Sequence, residues 1–252
     1  MAFADPVMLY CERVGAGFWA EPANAWSNAG FLAAAAMAFR DWRESPRRDW
    51  PALALIFVLV ATGIGSFLFH TLATRGAELL DVIPIALFIH VYFFLAMRRF
   101  LGLHRLTSLG LTLAFLAAGL VVGRLGQGAL NGSIAYVPAL LALIVVALLA
   151  GGRRMLPAAQ GPAVVPDGAK RRAGIRHQIP ECASRLRDDK AQGSDRLALA
   201  AVIFPLSLAA RTLDRTLCSI FPIGTHFVWH LLNALVLYLL VAAALRARAA
   251  IA

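Results

Sequence analysis

The stretch "HFVWHLLNALVLYLLVAAAL", residues 226–245, carries no Asp, Glu, Lys or Arg. It is as long as the roughly 20-residue helix that crosses the hydrocarbon core of a bilayer. Its first turn holds His226 and His230, four apart and therefore on one helix face. Histidine at membrane depth is costly unless it faces a partner. The stretch thus raises two questions: how many such segments the chain has, and what the two imidazoles hold.

The rest of the chain is of the same kind. Hydrophobic residues make up 60% of it and the mean hydropathy is +0.71, well above a soluble domain, which is about half apolar. Seven apolar segments can be marked, at roughly 24–40, 51–70, 79–97, 106–123, 133–150, 197–213 and 225–245. They predict an all-α, polytopic membrane protein, a seven-transmembrane helix bundle forming one domain over residues 1–252. Residues 1–23 lack a basic start followed by an apolar stretch, so no signal peptide is expected.

A net charge of +10 would suit a nucleic-acid binder, but the basic residues sit in short segments between apolar runs, which excludes that class. They read instead as topology signals. Arg40, Arg43, Arg47, Arg48, Arg98, Arg99, Arg105, Arg246, Arg248 and the basic residues of 151–196 fall on one side. Only Arg13, Arg75, Arg124, Arg211 and Arg215 fall on the other. The N-terminus is therefore expected outside and the C-terminus in the cytoplasm. Residues 151–196, rich in Gly, Pro and charge and without periodicity, read as a disordered cytoplasmic insert. The Ala- and Arg-rich composition points to a bacterial inner membrane. No obligatory protein partner is inferred.

On this topology the embedded polar residues collect at one depth. Ser66 and His70, four apart, end the second segment; Asp81 opens the third; His226 and His230 open the seventh. Each has a plain reading alone: an interfacial His, an Asp81 that caps its segment or pairs with Arg75, a Ser66 bonded to the preceding turn. Together they suit a metal site. Two histidines at i and i+4 give two ligands from one helix, and His70 lies at the right depth for a third. Three protein ligands with one open position is the catalytic zinc arrangement. Asp81 could orient a histidine or accept a proton from metal-bound water, and Ser66 could donate to an oxyanion. His90, His104 and His177 are read as packing or loop residues.

At this point the residues resemble a known group. "YCERVGAGFWAEPANAWSN" (10–28), "GSFLFHTLATRGAELLDVIP" (65–84) and "RTLDRTLCSIFPIGTHFVWHLLNA" (211–234) resemble the alkaline ceramidase family. That family belongs to a wider superfamily of seven-helix membrane hydrolases that includes the adiponectin-receptor-like proteins. The resemblance implies a zinc-dependent amidase in which His70, His226 and His230 bind Zn2+, Ser66 steadies the oxyanion and Asp81 shuttles the proton. The substrate would be ceramide or a ceramide-like membrane lipid, cut to a long-chain base and a free fatty acid. The alternative is an adiponectin-receptor-like protein whose zinc is mainly structural.

The resemblance also implies a calcium site, with Glu12 and Glu21 as acidic ligands and the Tyr10 carbonyl as a third oxygen. Leu9 and Val14 stand where the family carries Asp and Asn, so the carboxylate count is short for a cation that takes six to eight oxygens. A salt bridge to Arg13 is the plain reading of Glu12 and Glu21. Finally, the topology puts Cys11 and Cys218 in one compartment, away from Cys182, and the resemblance implies that those two are paired.

Overall fold

The computed structural model describes residues 3–46, 48–155 and 178–249. Among them there is no strand, and the β-type pairing is one isolated bridge between Pro6 and Thr74. A short helix, α1 (Pro22–Ser27), precedes seven long ones: α2 (Ala29–Glu44), α3 (Trp50–Leu72), α4 (Arg75–Arg99), α5 (Arg105–Leu125), α6 (Val137–Met155), α7 (Gln178–Leu213) and α8 (His226–Ala249). Short 3-10 segments at Ala129–Tyr136 and Arg215–Leu217 lead into α6 and out of α7.

Each of the seven apolar segments is one of the long helices. The six from α3 to α8 have the length and apolar character to cross a membrane, so the chain is a multi-pass membrane protein. The first segment is different. Its 16-residue α2 spans about 24 Å at 1.5 Å per residue, short of the hydrocarbon thickness. Here α1 leads into it through Asn28, whose backbone stays helical at φ −65° and ψ −18°, with Pro22 at the first position, where proline is favoured.

Helix also covers 178–196, where the sequence predicts linker. Its Gln, Glu, Arg, Lys and Ala residues are good helix formers whatever their charge, and Pro180 falls in the first turn, where a missing N–H is harmless. Packing holds it as well. Asp189 pairs with Arg246 of α8 at 2.9 Å, and a Cβ on Gly193 would stand 3.1 Å from the Ala243 carbonyl. The remainder of the predicted insert, 156–177, lies outside the described residues.

The central rod is α8, with 72% of its apolar window buried against 6% for α5. Small residues on its inner face (Ala234, Ala243, Ala244 and Ala247, all buried) allow the close helix contacts that hold bundles together in lipid. The outward faces of α5 and α6 carry exposed leucines, Leu113, Leu120, Leu141 and Leu148, as a lipid-facing surface does. At the end of the bundle away from the histidines, Asp49 caps α3 through Ala52 N–H at 3.1 Å. Both its carboxylate oxygens accept from Arg99 of α4, at 2.7 and 2.9 Å, and Arg99 also donates to the Ala244 carbonyl of α8 at 2.9 Å. One buried ion pair thus ties three helix ends.

At the histidine end the N-terminal strap, residues 3–21, folds back across the α3–α4 turn. Val7 N–H donates to Ala73 at 2.8 Å, Arg75 N–H to Asp5 at 3.0 Å and Gly76 N–H to Phe3 at 2.9 Å. A disulfide between Cys11 and Cys218, with Cα atoms 5.3 Å apart, fastens the strap to the α7–α8 connection. Beside it lies Asp214, fully buried. Its carboxylate accepts from the N–H groups of Cys11, Thr225 and His226 at 3.0, 2.7 and 3.0 Å. It satisfies the otherwise orphaned amides at the start of α8 and aims the helix that carries two histidines. Gly224, at φ +70°, makes room for it: a Cβ there would lie 2.1 Å from Asp214 Oδ1.

A second close approach sets α3 against α4. A Cβ on Gly65 would lie 1.9 Å from the Leu80 carbonyl oxygen, so the backbones touch at the residues just before Ser66 and Asp81. Gly65→Ala is expected to lower thermal stability by the equivalent of about 1–3 kcal/mol or more, because backbone, unlike a side chain, cannot swing aside. Thermal unfolding in detergent checks this, with Gly119→Ala on α5, where nothing lies within 4 Å of the added Cβ, as the neutral control. Non-reducing peptide mapping is expected to recover a Cys11–Cys218 cross-linked peptide. Cys11→Ser should cost up to about 5 kcal/mol by the loop-entropy model, read in the same unfolding assay.

Candidate metal centre

Three imidazoles meet where the strap crosses the bundle. His70 comes from the last turn of α3, and His226 and His230 from the first two turns of α8. All three are buried, and one ligating nitrogen from each lies within 4.8 Å of the others. Their ring centroids are 4.6 to 5.2 Å apart. Three buried histidines drawn from two helices, facing one another in an apolar bundle, form a group that could hold a metal ion.

The hydrogen bonds on the outer nitrogens show which atoms are free. Glu21 Oε2 accepts from His70 Nδ1 at 2.6 Å, leaving Nε2 buried and unpartnered. Ser27 Oγ holds His230 Nδ1 at 2.7 Å, which turns Nε2 of that ring inward as well. His226 is stacked on the Tyr10 ring at 3.7 Å, and its Nδ1 is a buried atom without a partner. Two rings held by a hydrogen bond on Nδ1, one held by stacking, and orphaned nitrogens on His70 and His226 fit a group that could hold a metal ion, with neighbours that orient it. Imidazole suits zinc and its transition-metal neighbours and does not suit a hard cation such as calcium.

Ser66 is buried one turn before His70 on α3, and Asp81 of α4, half-buried, lies within hydrogen-bonding reach of it. Asp81 orients no histidine; Glu21 and Ser27 do that. Arg75 pairs with Glu78 and Thr74 caps α4, so Asp81 serves neither end of its helix. His90 bonds the carbonyl of its own preceding turn, at Ala86, and packs on Phe115, while His104 caps α5. His177 lies outside the described residues.

The calcium reading fares differently. Glu12 accepts from the N–H groups of Ala23 and Asn24 at 2.6 and 2.9 Å and so caps α1. Glu21 is engaged by Arg13, His70 and Asn24. Burial pushes the Glu21 carboxyl up, but the His70, Arg13 and Asn24 hydrogen bonds outweigh it and hold it below its ordinary value. A depressed carboxylate lends its full stability above the ordinary Glu range and loses it as the pH falls through the native value. Both carboxylates are thus committed, and the Arg13 guanidinium bridges Glu21 and the His70 carbonyl at the end of α3. These residues do not fit a calcium ion.

Arg211 was legible only as a basic residue. It lies over the Tyr136 ring at 5.2 Å and near Trp229 at 5.9 Å, and donates to the Asn131 carbonyl and Ser133 Oγ at 3.1 and 3.0 Å. It pins the connector before α6 against the side of the centre. Tyr136 and Trp229 also line a narrow apolar cavity of about 70 Å3 between α4, α5, α6, α7 and α8, together with Phe88, Tyr92, Phe115, Val146 and Leu240 among others. Its α8 wall runs from Trp229 to Leu240, about 16 Å along the helix axis.

The family model described as Ceramidase matches residues 8–251. No curated protein and no solved structure matches.

Removing the Glu21 carboxylate should weaken metal binding without abolishing it. Glu21→Gln is expected to cost about 10–100-fold in affinity, the usual effect of an outer-shell partner, and Ser27→Ala less, since a hydroxyl is the weaker orienter. Competition with a chromophoric chelator on the purified protein measures both.

Proposed function

The chain belongs to the ceramidase family, and on that footing we propose that it hydrolyses the N-acyl amide bond of a ceramide-like membrane lipid at a zinc ion held by His70, His226 and His230. The observation that carries the proposal is three buried imidazoles that face one another beside a narrow apolar cavity. Its aromatic and aliphatic lining suits the hydrocarbon part of a lipid. Trp229, which lines it, precedes His230, so apolar atoms held there would have the polar end of the molecule toward the imidazoles. A purely structural metal has no need of such a cavity, and the family match does not favour the receptor-like alternative.

Zinc, when bound, supplies a Lewis acid that brings the pKa of a water to about 7. The chain's residues do the rest. Asp81 receives the proton released as water oxygen bonds to the amide carbonyl carbon. It delivers that proton to nitrogen as the C–N bond breaks and the amine leaves. Ser66, on the same α3 face as His70, offers its hydroxyl to the carbonyl oxygen as charge develops there.

The orientation follows from the distribution of charge. The bundle end away from the histidines carries Arg43, Arg48, Arg98, Arg99, Arg105 and Arg246, so that end would face the cytoplasm. The centre and the disulfide would then face the outer side, where a disulfide persists. In a bacterial inner membrane that is the periplasmic face.

Changing His70, His226 or His230 to Ala should strip metal and hydrolysis together. Ser66→Ala and Asp81→Asn should retain metal while turnover drops, by about 10²–10³ for the lost oxyanion donor. Metal analysis beside release of fatty acid from a ceramide in mixed micelles reads both. Full metal content in all three histidine variants would sink the ligand assignment.

A further inference from the structure

Arg13 is buried, its side chain only 1% exposed, in a position no cation enters cheaply. Every group around its guanidinium is an acceptor. Nε donates to Glu21 Oε1, Nη1 to the carbonyls of Gly15 and Gly17 at 3.2 and 3.4 Å, and Nη2 to the carbonyl of His70 at 2.8 Å. The His70 carbonyl lies in the last turn of α3, among the carbonyls a helix leaves unsatisfied and at the negative end of its dipole. One carboxylate oxygen and three carbonyls facing inward make the kind of oxygen set a hard metal cation takes. Here the set holds a guanidinium instead, and only one full negative charge, that of Glu21, faces it.

The same contacts hold His70 at both ends. Arg13 grips its backbone carbonyl directly. Through Glu21 it also fixes the imidazole, because Glu21 bonds Arg13 with Oε1 and His70 Nδ1 with Oε2. An anion held on Nδ1–H fixes the tautomer in which Nε2 carries the lone pair toward the centre. Without Arg13, Glu21 would be a buried carboxylate with an uncompensated charge.

We propose that the Arg13 guanidinium is the resident cation of this oxygen cage, taking by covalent attachment the place of a calcium ion, and that it is a positioning residue for the ligand His70. The proposal rests on the metal-centre reading for its second half only. Its chemistry is specific: a planar fork reaches Glu21 and the α3 carbonyl at once, which an ammonium on a flexible stem does not.

The test has two arms on the purified full chain. In the first, calcium is added to the wild-type protein, with calcium binding followed by calorimetry and stability by thermal unfolding. No binding and no shift in Tm are expected; one calcium bound per chain with a rise in Tm overturns the proposal. This arm holds whatever metal the histidines carry, so it fails independently of the zinc assignment, which wild-type metal content tests by itself.

In the second arm Arg13→Ala is expected to lower zinc affinity at least tenfold, the effect of losing an outer-shell support. Millimolar guanidinium chloride should restore that affinity in the variant and leave the wild type unchanged, a response that general loosening of the fold would not give. Unaltered zinc affinity in Arg13→Ala, or loss that guanidinium does not reverse, overturns the positioning role. If Arg13→Ala does not fold, Arg13→Lys replaces it. That variant keeps the charge without the fork, and is expected to fold and bind zinc more weakly; wild-type affinity in it overturns the same role.

Discussion

Three buried imidazoles can share one small space only if their rings are held in place by neighbours outside it. That constraint organises the whole end of the bundle. Those neighbours come from outside the two helices that carry the rings: Glu21 and Ser27 lie in or beside α1, and Tyr10 in the strap. The strap must therefore lie across the bundle with α1 directly under it. Glu12 makes that so by capping α1, and Asp214 by binding the strap amide at Cys11 together with the first amides of α8. Carboxylates at helix starts serve here as joints between segments far apart in sequence.

How much of this the sequence reveals depends on the range of the physics involved. Helices α3 to α8 are legible because a bilayer demands long uninterrupted apolar runs, a local property. The shared depth of Ser66, His70, Asp81, His226 and His230 is legible because arginine placement orders the helices. Contacts that depend on the strap folding back are not legible. Ser27 looks like an ordinary polar residue near a helix start, and Glu21 like a salt-bridge partner of Arg13, with no sign that it also holds His70. Asp214 looks like a loop residue, although an acid at the end of one apolar segment, twelve residues before a helix that opens on histidine, is a signal that a reader could use. The helix over 178–196 was hidden for the opposite reason. Its charge density reads as solvated, yet its hold is packing on α8 through Gly193 and Asp189.

The bundle divides its electrostatics between its two ends. At one, Asp49 and Arg99 neutralise each other and close three helix termini. At the other, Arg13 and Arg211 are each surrounded by oxygens and rings, and they hold peripheral segments against the histidines.

The bond between Cys11 and Cys218 joins residues 207 apart, and that separation bears on the order of assembly. At roughly 5–20 residues per second the ribosome needs about 10–40 s to travel between them. For that interval the strap has no partner for Cys11, no Asp214 for its amide and no α8 for Tyr10 to stack upon. The centre is thus a late product of biogenesis: it comes into being only when the final helix is inserted. A nascent chain arrested before that helix would carry one of the three histidines and no lasting claim on a metal ion.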